Sequence, residues 1–385
     1  MSLKVVHVVR QYLPSRGGME DVVFNIARMQ QELHGHRPSI VTLDRVFRQP
    51  EALPVSEVLD GIPVHRLSYR GSERYPLFPA VLRHLGDADV VHVHGIDFAF
   101  DYLSLTRWWH RKPMVACTHG GFFHTSFAQR AKKLFFHSVT RCTARGYHRI
   151  LASSANDGEV FRQVVPGDRV RVIENGVDID KFAGASSPTL QPTLIYIGRW
   201  SSNKGLPRTL DLLAALRLID PAWRLIVAGR EYDLDRHALT QLALDKGVGD
   251  AVTLLPNPDN DAMRAAMGQA SYSVCLSRHE GFGLAAIEAM SAGLVPVLSA
   301  IPPFERLSAQ TQVPLIVAED ADDAAAALAQ HHQQLSRRHS AVRAQAQLSA
   351  QAYSWRNVVG AYVEEYERAL HAKQHKKERK KEAVA

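Results

Sequence analysis

The sequence predicts an α/β protein of two doubly wound, Rossmann-like domains that face each other across a cleft. Its 385 residues exceed what one ordinary core accommodates, so length favours two domains. Short runs rich in valine and isoleucine alternate with longer helical patterns in both halves of the chain, which is typical of parallel βα units. A stretch of small residues and proline separates the two series.

These two series set the predicted domain boundaries. The first domain is expected over 1–183, a linker over 184–192 and the second domain over 193–352. A helix over 353–370 is expected to end the second domain, with a crossing back to the first as an alternative. A basic tail over 371–385 is expected to be frayed and solvated. The predicted strands of the first domain are Val5–Val9, Ile40–Leu43, Val90–Val93, Met114–Cys117 and Ile150–Ala152. Those of the second are Leu194–Ile197, Leu225–Val227, Val252–Leu255, Tyr272–Leu276 and Val295–Leu298.

Composition narrows the classes of protein. A net charge of +7 and a pI near 9.3 indicate anionic partners. Zinc-finger spacing, RNP motifs and basic repeats are absent from the sequence, so nucleic acid is not expected among them. Three widely spaced cysteines form no disulfide framework and fit a reducing, cytoplasmic setting. With no apolar run of the length that spans a bilayer, any membrane contact is expected to be peripheral.

The segment with the most specific chemistry follows a strand and opens a helix near residue 284. Gly281 and Gly283 let the backbone come close to a ligand. The helix that begins at Leu284 presents free N–H groups and the positive end of its dipole to phosphate. The segment therefore predicts a site for a phosphorylated ligand.

Two glutamates eight positions apart bracket this turn. Glu288 lies about one turn inside the helix and reaches hydroxyls beside the phosphates, while Glu280 meets the group beyond them. The glycine spacing also matches a dinucleotide fingerprint, which leaves an NAD-dependent oxidoreductase as an alternative. That fingerprint requires an acidic residue at the end of the next strand. Here the next strand ends at Ser299, so the acidic residue is missing, which counts against a nicotinamide cofactor.

A pair of cations opens the second domain. Arg199 and Lys204 follow its first strand, at the edge of the sheet where open α/β folds bind ligands. Cations at the start of a helix oppose its dipole unless an anion is present. The pair therefore predicts a site that offsets the charge on a departing diphosphate.

The first domain adds three candidate positions, each after a predicted strand. Gly17 and Gly18 keep the backbone open where a helix N-terminus faces the cleft. His119 can exchange a proton or bond to a sugar hydroxyl. Ser153 and Ser154 follow a later strand at the same edge.

The histidines raise a metal hypothesis. His92 and His94 share one strand face, and His119 and His124 are neighbours in sequence. Zinc remains an alternative, but no cysteine or carboxylate stands beside these histidines at ligand spacing. The site is therefore expected to contain no metal.

Two segments of the first domain combine aromatic and basic residues, as interfacial sites do. Trp108 and Trp109 lie between basic residues. The helical pattern Phe127–Arg145 carries Lys132 and Lys133 beside apolar residues. An anionic membrane surface is expected to contact both segments, although core aromatics with a solvated basic face would give the same pattern.

The combination of Gly17-Gly18, His119, Arg199 with Lys204, and the E-x7-E from Glu280 to Glu288 resembles the retaining GT-B glycosyltransferase family 4 over nearly the whole chain. More narrowly, several runs resemble the mannosyltransferases of xanthan and acetan exopolysaccharide assembly. These runs are Val5–Gln11, His94–Asp97, Thr118–His124 and Ile173–Asp178. The resemblance implies transfer of mannose from GDP-mannose, in α-1,3 linkage, to a cellobiose unit on polyprenyl diphosphate.

The resemblance also implies a role for each matching residue. Arg199 and Lys204 would bind the donor diphosphate, and Glu288 the ribose. Glu280 would hold the hydroxyls of the donor sugar or stabilise its cationic transition state. His119 would contact that sugar from the other domain.

Further implications concern the donor phosphates, the mechanism and the location. Gly18 would lie by the phosphates, and Ser154 would be a further donor contact, with Ser153 as its alternative. Transfer would proceed with retention and without metal or other cofactor. The enzyme would act at the inner face of the cell membrane, on a lipid-linked oligosaccharide acceptor.

Overall fold

The chain forms two compact units in the computed structural model, which describes residues 2–120 and 133–382. The first domain comprises Met1–Gly176 and Trp355–Ala385, and the second comprises Val177–Ser354. Each contains a mostly or wholly parallel sheet with helices between its strands. The predicted fold class, two doubly wound α/β domains, is confirmed.

The sheet of the first domain has eight strands within the described residues. The strands of this domain, including the separate hairpin β5–β6, are β1 Lys4–Val9, β2 Arg37–Leu43, β3 Ser56–Leu59, β4 Ile62–Leu67, β5 Arg70–Ser72, β6 Tyr75–Leu77, β7 Val90–His94, β8 Met114–Cys117, β9 Arg149–Ala152 and β10 Val170–Val172. They lie in the order β10-β9-β8-β7-β1-β2-β4-β3, and every neighbouring pair is parallel except β3 with β4. The order turns back on itself between β1 and β7.

Helices connect these strands. They are α1 Gly18–His34, α2 Phe98–Leu105, α3 Arg107–His110, α4 Arg141–Thr143 and α5 Ala155–Arg162, with a π-helical turn over Phe136–Thr140. Successive residues of β1 enter different apolar clusters, since Val6 and Val8 pack on one side and Val5 on the other. Burial on both faces explains why these strands are continuous valine runs.

The second domain repeats the pattern with six parallel strands among the described residues. Its strands are β11 Thr193–Ile197, β12 Arg224–Gly229, β13 Val252–Pro256, β14 Tyr272–Cys275, β15 Val295–Ser299 and β16 Leu315–Val317. Their order is β13-β12-β11-β14-β15-β16, so the chain reverses direction across the sheet between β11 and β14. Its helices are α6 Leu206–Ile219, α7 Arg236–Asp245, α8 Asn260–Met267, α9 Leu284–Ala292, α10 Pro302–Thr311, α11 Ala321–Leu335 and α12 His339–Gln351.

The last helix, α13 Trp355–Glu382, belongs to the first domain. Its apolar residues, among them Val359 and Tyr362, share a cluster with Val5 of β1. Glu365 is fully buried and bonds to Arg149 Nε at 3.0 Å and to Arg171 Nη1 at 2.7 Å. Apolar packing and a buried ion network therefore fix this helix on the sheet.

Two expectations about the ends of the domains are wrong. Residues 184–192 are not a free linker, because Ser186 is buried and its N–H donates to the carbonyl of Ala292 at 2.9 Å within the second domain. The domain boundary lies earlier, after Gly176. The basic tail is not frayed up to Glu382, because its lysine-rich sequence has high helix propensity and continues α13.

Of the helices within residues 2–120 and 133–382, none combines the length and the apolar character that a bilayer crossing requires.

Candidate active site

Each domain has one topological switch point, where connections leave the sheet in opposite directions. In open α/β sheets, ligands bind outside the carboxyl ends of the strands at such a point. In the second domain this point lies between β11 and β14, and in the first between β1 and β7. The predicted residues Lys204 and Glu280 follow β11 and β14, the two strands at the switch point of the second domain.

Lys204 and Glu280 form an ion pair there. Lys204 Nζ donates to Glu280 Oε1 at 2.6 Å, although 76 positions separate the residues. The hydroxyl of Ser277 donates to the same carboxylate oxygen at 2.8 Å. The lysine side chain is 28% exposed and that of the glutamate 15%, so a ligand can still reach both.

Gly205 explains how the lysine reaches the glutamate. Its φ of +80° lies in the left-handed region, and a Cβ added there would lie 2.2 Å from the carbonyl oxygen of Leu276. The backbone after β11 therefore passes directly against the backbone after β14. This close approach places Lys204, the preceding residue, beside the loop that carries Glu280.

The predicted phosphate site lies at the start of α9. Gly283 adopts φ +95°, and a Cβ there would meet the ring of Phe304 at 2.6 Å. Gly281 is exposed, and a Cβ there would meet nothing within 4 Å. Leu284 is the first helical residue, and no side chain among the described residues caps this N-terminus. Glu288 lies one turn further on and is half-buried.

Arg199 does not take part in the ion pair between Lys204 and Glu280. Its guanidinium stands over the ring of Tyr232 at 5.0 Å from the centroid, and its carbonyl accepts from the hydroxyl of Tyr196 at 2.6 Å. Its side chain is exposed and forms no ion pair within residues 2–120 and 133–382. The structure therefore holds Arg199 at the same end of β11 as Lys204 but with an aromatic partner.

In the first domain, the two predicted glycines begin α1 after β1. Gly17 is the N-cap with extended backbone, and Gly18 is the first helical residue. A Cβ at Gly18 would meet no atom within 4 Å, whereas one at Gly17 would press on the Glu20 carboxylate at 2.7 Å. The space in front of Gly18 is therefore open.

His119 follows β8 and is held at an unusual backbone conformation. Its φ is +55°, in the left-handed region that non-glycine residues seldom occupy and that recurs at functional sites. Its Nε2 lies 2.9 Å from Nδ1 of His94. Burial, and then the nearby charge of Arg10, lower the pKa of His119 to about 4, so the ring is neutral at pH 7.

Ser154 has a structural partner. Its hydroxyl caps α5 by accepting from the N–H of Asp157 at 3.2 Å. The neighbouring Ser153 donates to the carboxylate of Asp157 at 2.9 Å, as does the hydroxyl of Thr118 at 2.9 Å. Of the two serines, Ser154 is the more buried, so the cap limits its access to a ligand.

The histidines lie closer to a cysteine than the sequence indicated. His94, Cys117 and His119 bring one donor atom each within 4.8 Å of one another, and so do His7, His92 and His94. The expectation that no cysteine accompanies the histidines is therefore wrong, because adjacent parallel strands align His94 with Cys117. The ring nitrogens of His92 already bond to Tyr366 at 2.8 Å and to Cys117 at 3.0 Å.

The predicted membrane segments expose apolar and basic groups together. Trp108 is 71% exposed and Trp109 69% exposed. Lys133 is exposed, whereas Lys132, Gly121 and His124 lie outside the described residues. We define the aromatic-basic surface as Leu105, Arg107, Trp108, Trp109, Arg111, Lys133, Leu134, Val139, Arg141 and Arg145. A hydrogen bond from Arg107 Nη1 to the carbonyl of Arg145, 2.9 Å long, joins its two segments.

Sequence reasoning missed several residues that organise these sites. Gln30 and His7 are buried behind His119, and Asp157 links two loops at the edge of the first sheet. His7 carries a signal, because a polar residue inside a buried valine run needs a partner. Gln30 carries none, since its partner lies 23 positions away.

Comparison with known proteins assigns both halves of the chain. Residues 16–181 match the family described as Glycosyltransferase Family 4, and residues 178–348 match Glycosyl transferases group 1. A GDP-mannose:cellobiosyl-diphosphopolyprenol alpha-mannosyltransferase of Xanthomonas oryzae pv. oryzae is 51% identical over 374 residues, which cover 96% of this chain and 97% of that protein. The protein of the same name from Komagataeibacter xylinus is 43% identical, covering 96% and 94%.

Solved structures share the fold at much lower identity. Sucrose-phosphate synthase from Thermosynechococcus elongatus superposes with a TM-score of 0.69 at 18% identity, over 96% of this chain and 100% of that one. The Anabaena protein HepE, solved in complex with UDP and glucose, gives a TM-score of 0.69 at 17% identity, over 94% and 98%. These similarities identify the architecture as that of GT-B glycosyltransferases.

Proposed function

This chain belongs to glycosyltransferase family 4, and from that membership we propose that it transfers mannose from GDP-mannose, with retention, to a cellobiose unit on polyprenyl diphosphate. The observation that carries the proposal is identity of 43–51% to mannosyltransferases with that donor and acceptor, over at least 94% of both chains. The α-1,3 linkage and a role in exopolysaccharide assembly belong to the same proposal.

In the proposed reaction, the second domain binds the donor diphosphate. Lys204 and Arg199 supply positive charge after β11, and the uncapped start of α9 supplies N–H groups near Gly283. As the bond between the anomeric carbon and the diphosphate oxygen breaks, negative charge grows on that oxygen. Fixed cations and N–H groups stabilise this charge most where it develops.

The two glutamates then have separate roles. Glu288, one turn into α9, accepts hydrogen bonds from the ribose hydroxyls. Glu280, held by Lys204 and Ser277, accepts from hydroxyls of mannose and stabilises positive charge on the sugar. The ion pair holds both side chains at the switch point before the donor arrives, which reduces the reorganisation that catalysis requires.

His119 and Gly18 complete the proposed donor contacts from the first domain, together with Ser154 or, because Ser154 caps α5, its neighbour Ser153. We propose that His119 bonds to the mannose and that Gly18 contacts the phosphates; the latter is supported by the absence of any atom within 4 Å of a Cβ added at Gly18. The acceptor hydroxyl attacks from the face that GDP leaves, and its proton passes to the departing diphosphate oxygen. We propose that these groups act without a metal ion or another cofactor.

The polyprenyl acceptor also implies a location. We propose that the aromatic-basic surface docks on anionic lipid at the inner face of the cell membrane, because indoles suit the interface and cations suit lipid phosphates. The chain's net positive charge then serves binding of lipid and diphosphates rather than of nucleic acid.

Donor and acceptor are tested together. Purified protein in EDTA is incubated with polyprenyl-diphosphate cellobiose in four parallel reactions. Each reaction contains one radiolabelled donor: GDP-mannose, GDP-fucose, UDP-glucose or UDP-glucuronic acid. Label from GDP-mannose alone should appear in the lipid fraction as a trisaccharide. Label from another donor would contradict the donor assignment, and transfer restored only by a divalent cation would contradict metal independence.

A further inference from the structure

A line of four side chains runs from the interior of the first domain to His119. Gln30 Nε2 lies 2.6 Å from His7 Nε2, His7 Nδ1 lies 2.9 Å from His94 Nε2, and His94 Nδ1 lies 2.9 Å from His119 Nε2. We call these four residues the histidine chain. Gln30, His7 and His94 are at most 1% exposed, so water cannot compete for these bonds.

All three imidazoles are neutral at pH 7. Burial lowers the pKa of His7 to about 3 and that of His94 well below the usual value, and the ring of His119 is neutral for the reason given above. A neutral imidazole has one N–H and one lone pair. Each ring in the line must therefore accept from one neighbour and donate to the next.

The direction of the line follows from Gln30. Its amide nitrogen faces His7 and can only donate, so His7 Nε2 accepts and His7 Nδ1 carries the proton. In this orientation the buried amide oxygen and one amide hydrogen have no partner among the described residues, whereas the opposite orientation would leave both amide hydrogens without one. Buried orphan carbonyls are better tolerated than orphan N–H groups. His94 then donates from Nδ1 to Nε2 of His119.

We propose that the histidine chain sets the tautomer of His119, so that its Nδ1–H points away from the line as a fixed hydrogen-bond donor. Among the described residues, no group accepts from this nitrogen. In the proposed mannosyltransferase, on which this contact but not the tautomer rests, Nδ1–H donates to an oxygen of the donor sugar. Gln30, His7 and His94 are positioning residues, which act through His119 and do not touch the substrate.

A metal ion on the same residues would have to break this line. An ion bound by His94, Cys117 and His119 would take a lone pair from each imidazole. Both nitrogens of His94 already bond to neighbouring rings, so one of those bonds would be lost. The hydrogen-bonded line uses every nitrogen of His7 and His94 without an added ion.

The backbone conformation of His119 also depends on the histidine chain. Its left-handed conformation is strained for a residue with a side chain, and such strain persists only where the surroundings impose it. The bond from His94 holds the imidazole of His119 in one orientation, because rotation of this ring would leave His94 Nδ1–H unsatisfied. The line therefore fixes both the direction of the ring and the position of its proton.

The first test measures the tautomer in the native protein. Protein labelled with ¹⁵N in histidine is measured by NMR at pH 7.5, where protonated and unprotonated ring nitrogens have well-separated shifts, and His119 is identified by comparison with His119→Gln. We expect a protonated Nδ1 and an unprotonated Nε2 on His119. The opposite pattern would overturn the proposal, and so would stoichiometric Zn²⁺ binding that removes the bond between His94 and His119.

Gln30→Glu then tests the direction with almost no change in shape. A buried carboxylate accepts and cannot donate when ionised, so each tautomer in the line should reverse and His119 Nδ1 should lose its proton. Loss of one donor to the sugar should lower kcat about tenfold, while the Kd for GDP, which has no sugar, should be unchanged. Gln30→Leu, which fills the space without bonding, is the control for packing and should leave His119 as a mixture of tautomers.

The outcomes separate this proposal from the proposed function. If the native protein transfers no mannose but His119 carries its proton on Nδ1, the function fails and the tautomer assignment stands. If transfer occurs but folded Gln30→Glu and Gln30→Leu variants both keep the native ¹⁵N pattern and native kcat, the role of the histidine chain fails.

Discussion

Lys204 donates to Glu280 across 2.6 Å, so the cation proposed for the diphosphate already contacts the carboxylate proposed for the sugar. The two residues follow neighbouring strands at the switch point of the second sheet. The ion pair therefore brings the residue proposed for the diphosphate and the residue proposed for the sugar into one local arrangement. Substitution of Lys204 should therefore weaken mainly the binding of the diphosphate, and substitution of Glu280 mainly the recognition of the sugar.

Lys204→Ala and Glu280→Ala should each lower kcat/KM at least 100-fold, because removing one preorganised charged group typically costs that much. Stability should change little, since partly exposed ion pairs contribute about 1 kcal/mol or less. Transfer assays and urea unfolding on the same preparations measure both effects. Lys246→Ala is the matched control, because Lys246 pairs with Asp211 elsewhere in the second domain. A loss of activity in the control equal to that in Lys204→Ala would contradict the assigned site.

Gly205→Ala should destabilise the second domain by more than about 2 kcal/mol, because the added Cβ combines left-handed strain with a backbone overlap at Leu276. Gly247→Ala provides the comparison. Gly247 has φ +68° with nothing within 4 Å of its Cβ position, so only the strain of about 1 kcal/mol applies. Urea unfolding monitored by circular dichroism measures both. Equal losses in the two variants would show that the close approach of the two loops is unimportant.

The protein should lose stability as the pH falls below about 6.5. Burial keeps the pKa values of His7, His92 and His94 far below the 6.5 of an unfolded chain, so between these values the unfolded state binds more protons. Each histidine contributes about 1.4 kcal/mol per pH unit in this range. Asp97 acts in the opposite sense, because burial raises its pKa to about 6. The low pKa of His119 acts in the same sense as those of the other histidines, so the free energy of unfolding should fall by at least about 3 kcal/mol from pH 6 to pH 5.

Denaturant unfolding at pH 7.5, 6 and 5 measures this slope. His92→Gln removes one titrating ring while keeping a polar side chain, and it should reduce the slope by about 1.4 kcal/mol per pH unit. A native protein whose stability is constant from pH 7.5 to pH 5 would contradict the assignment of neutral buried histidines.

Replacing Trp108 and Trp109 together with alanine should weaken binding to anionic vesicles at least tenfold, because both indoles are more than two-thirds exposed and available to the interface. Sedimentation with vesicles of phosphatidylglycerol and phosphatidylcholine measures the binding, and folding should be unaffected. The control replaces Leu218 and Ile219, which are 87% and 52% exposed on the second domain. Native binding by the double tryptophan variant would remove the proposed docking surface.

Local pattern was sufficient for much of the fold. The ten predicted strands are confirmed within about three residues at each end, because buried parallel strands leave continuous valine and isoleucine runs. Strands such as Ser56–Leu59 and Leu315–Val317 were missed, since they are short and lie at or near the edges of the sheets. Residues 184–192 were misread because small residues and proline characterise packed irregular backbone as well as linkers.

The site is less accessible to sequence reasoning. Glycines and charged residues after strands indicate the edge of a sheet, which is where Lys204 and Glu280 lie. Their ion pair spans 76 positions and depends on Gly205, whose close approach to Leu276 has no local signal. The partnership of Gln30 with His7 is equally hidden, because it follows from how α1 packs on β1. The roles assigned to the predicted site residues remain predictions.

The C-terminal helix has a consequence for synthesis of the protein. Val359, Tyr362 and Tyr366 complete a cluster that begins with Leu3 and Val5, so the first domain is built from both ends of the chain. The second domain is continuous and can fold as soon as it emerges from the ribosome. The sheet of the first domain must wait, with the face that will receive Trp355 and Tyr366 exposed, until the helix that follows the second domain has been synthesised. A nascent chain arrested before residue 355 should therefore be a client for chaperones even though its sheet residues are all present.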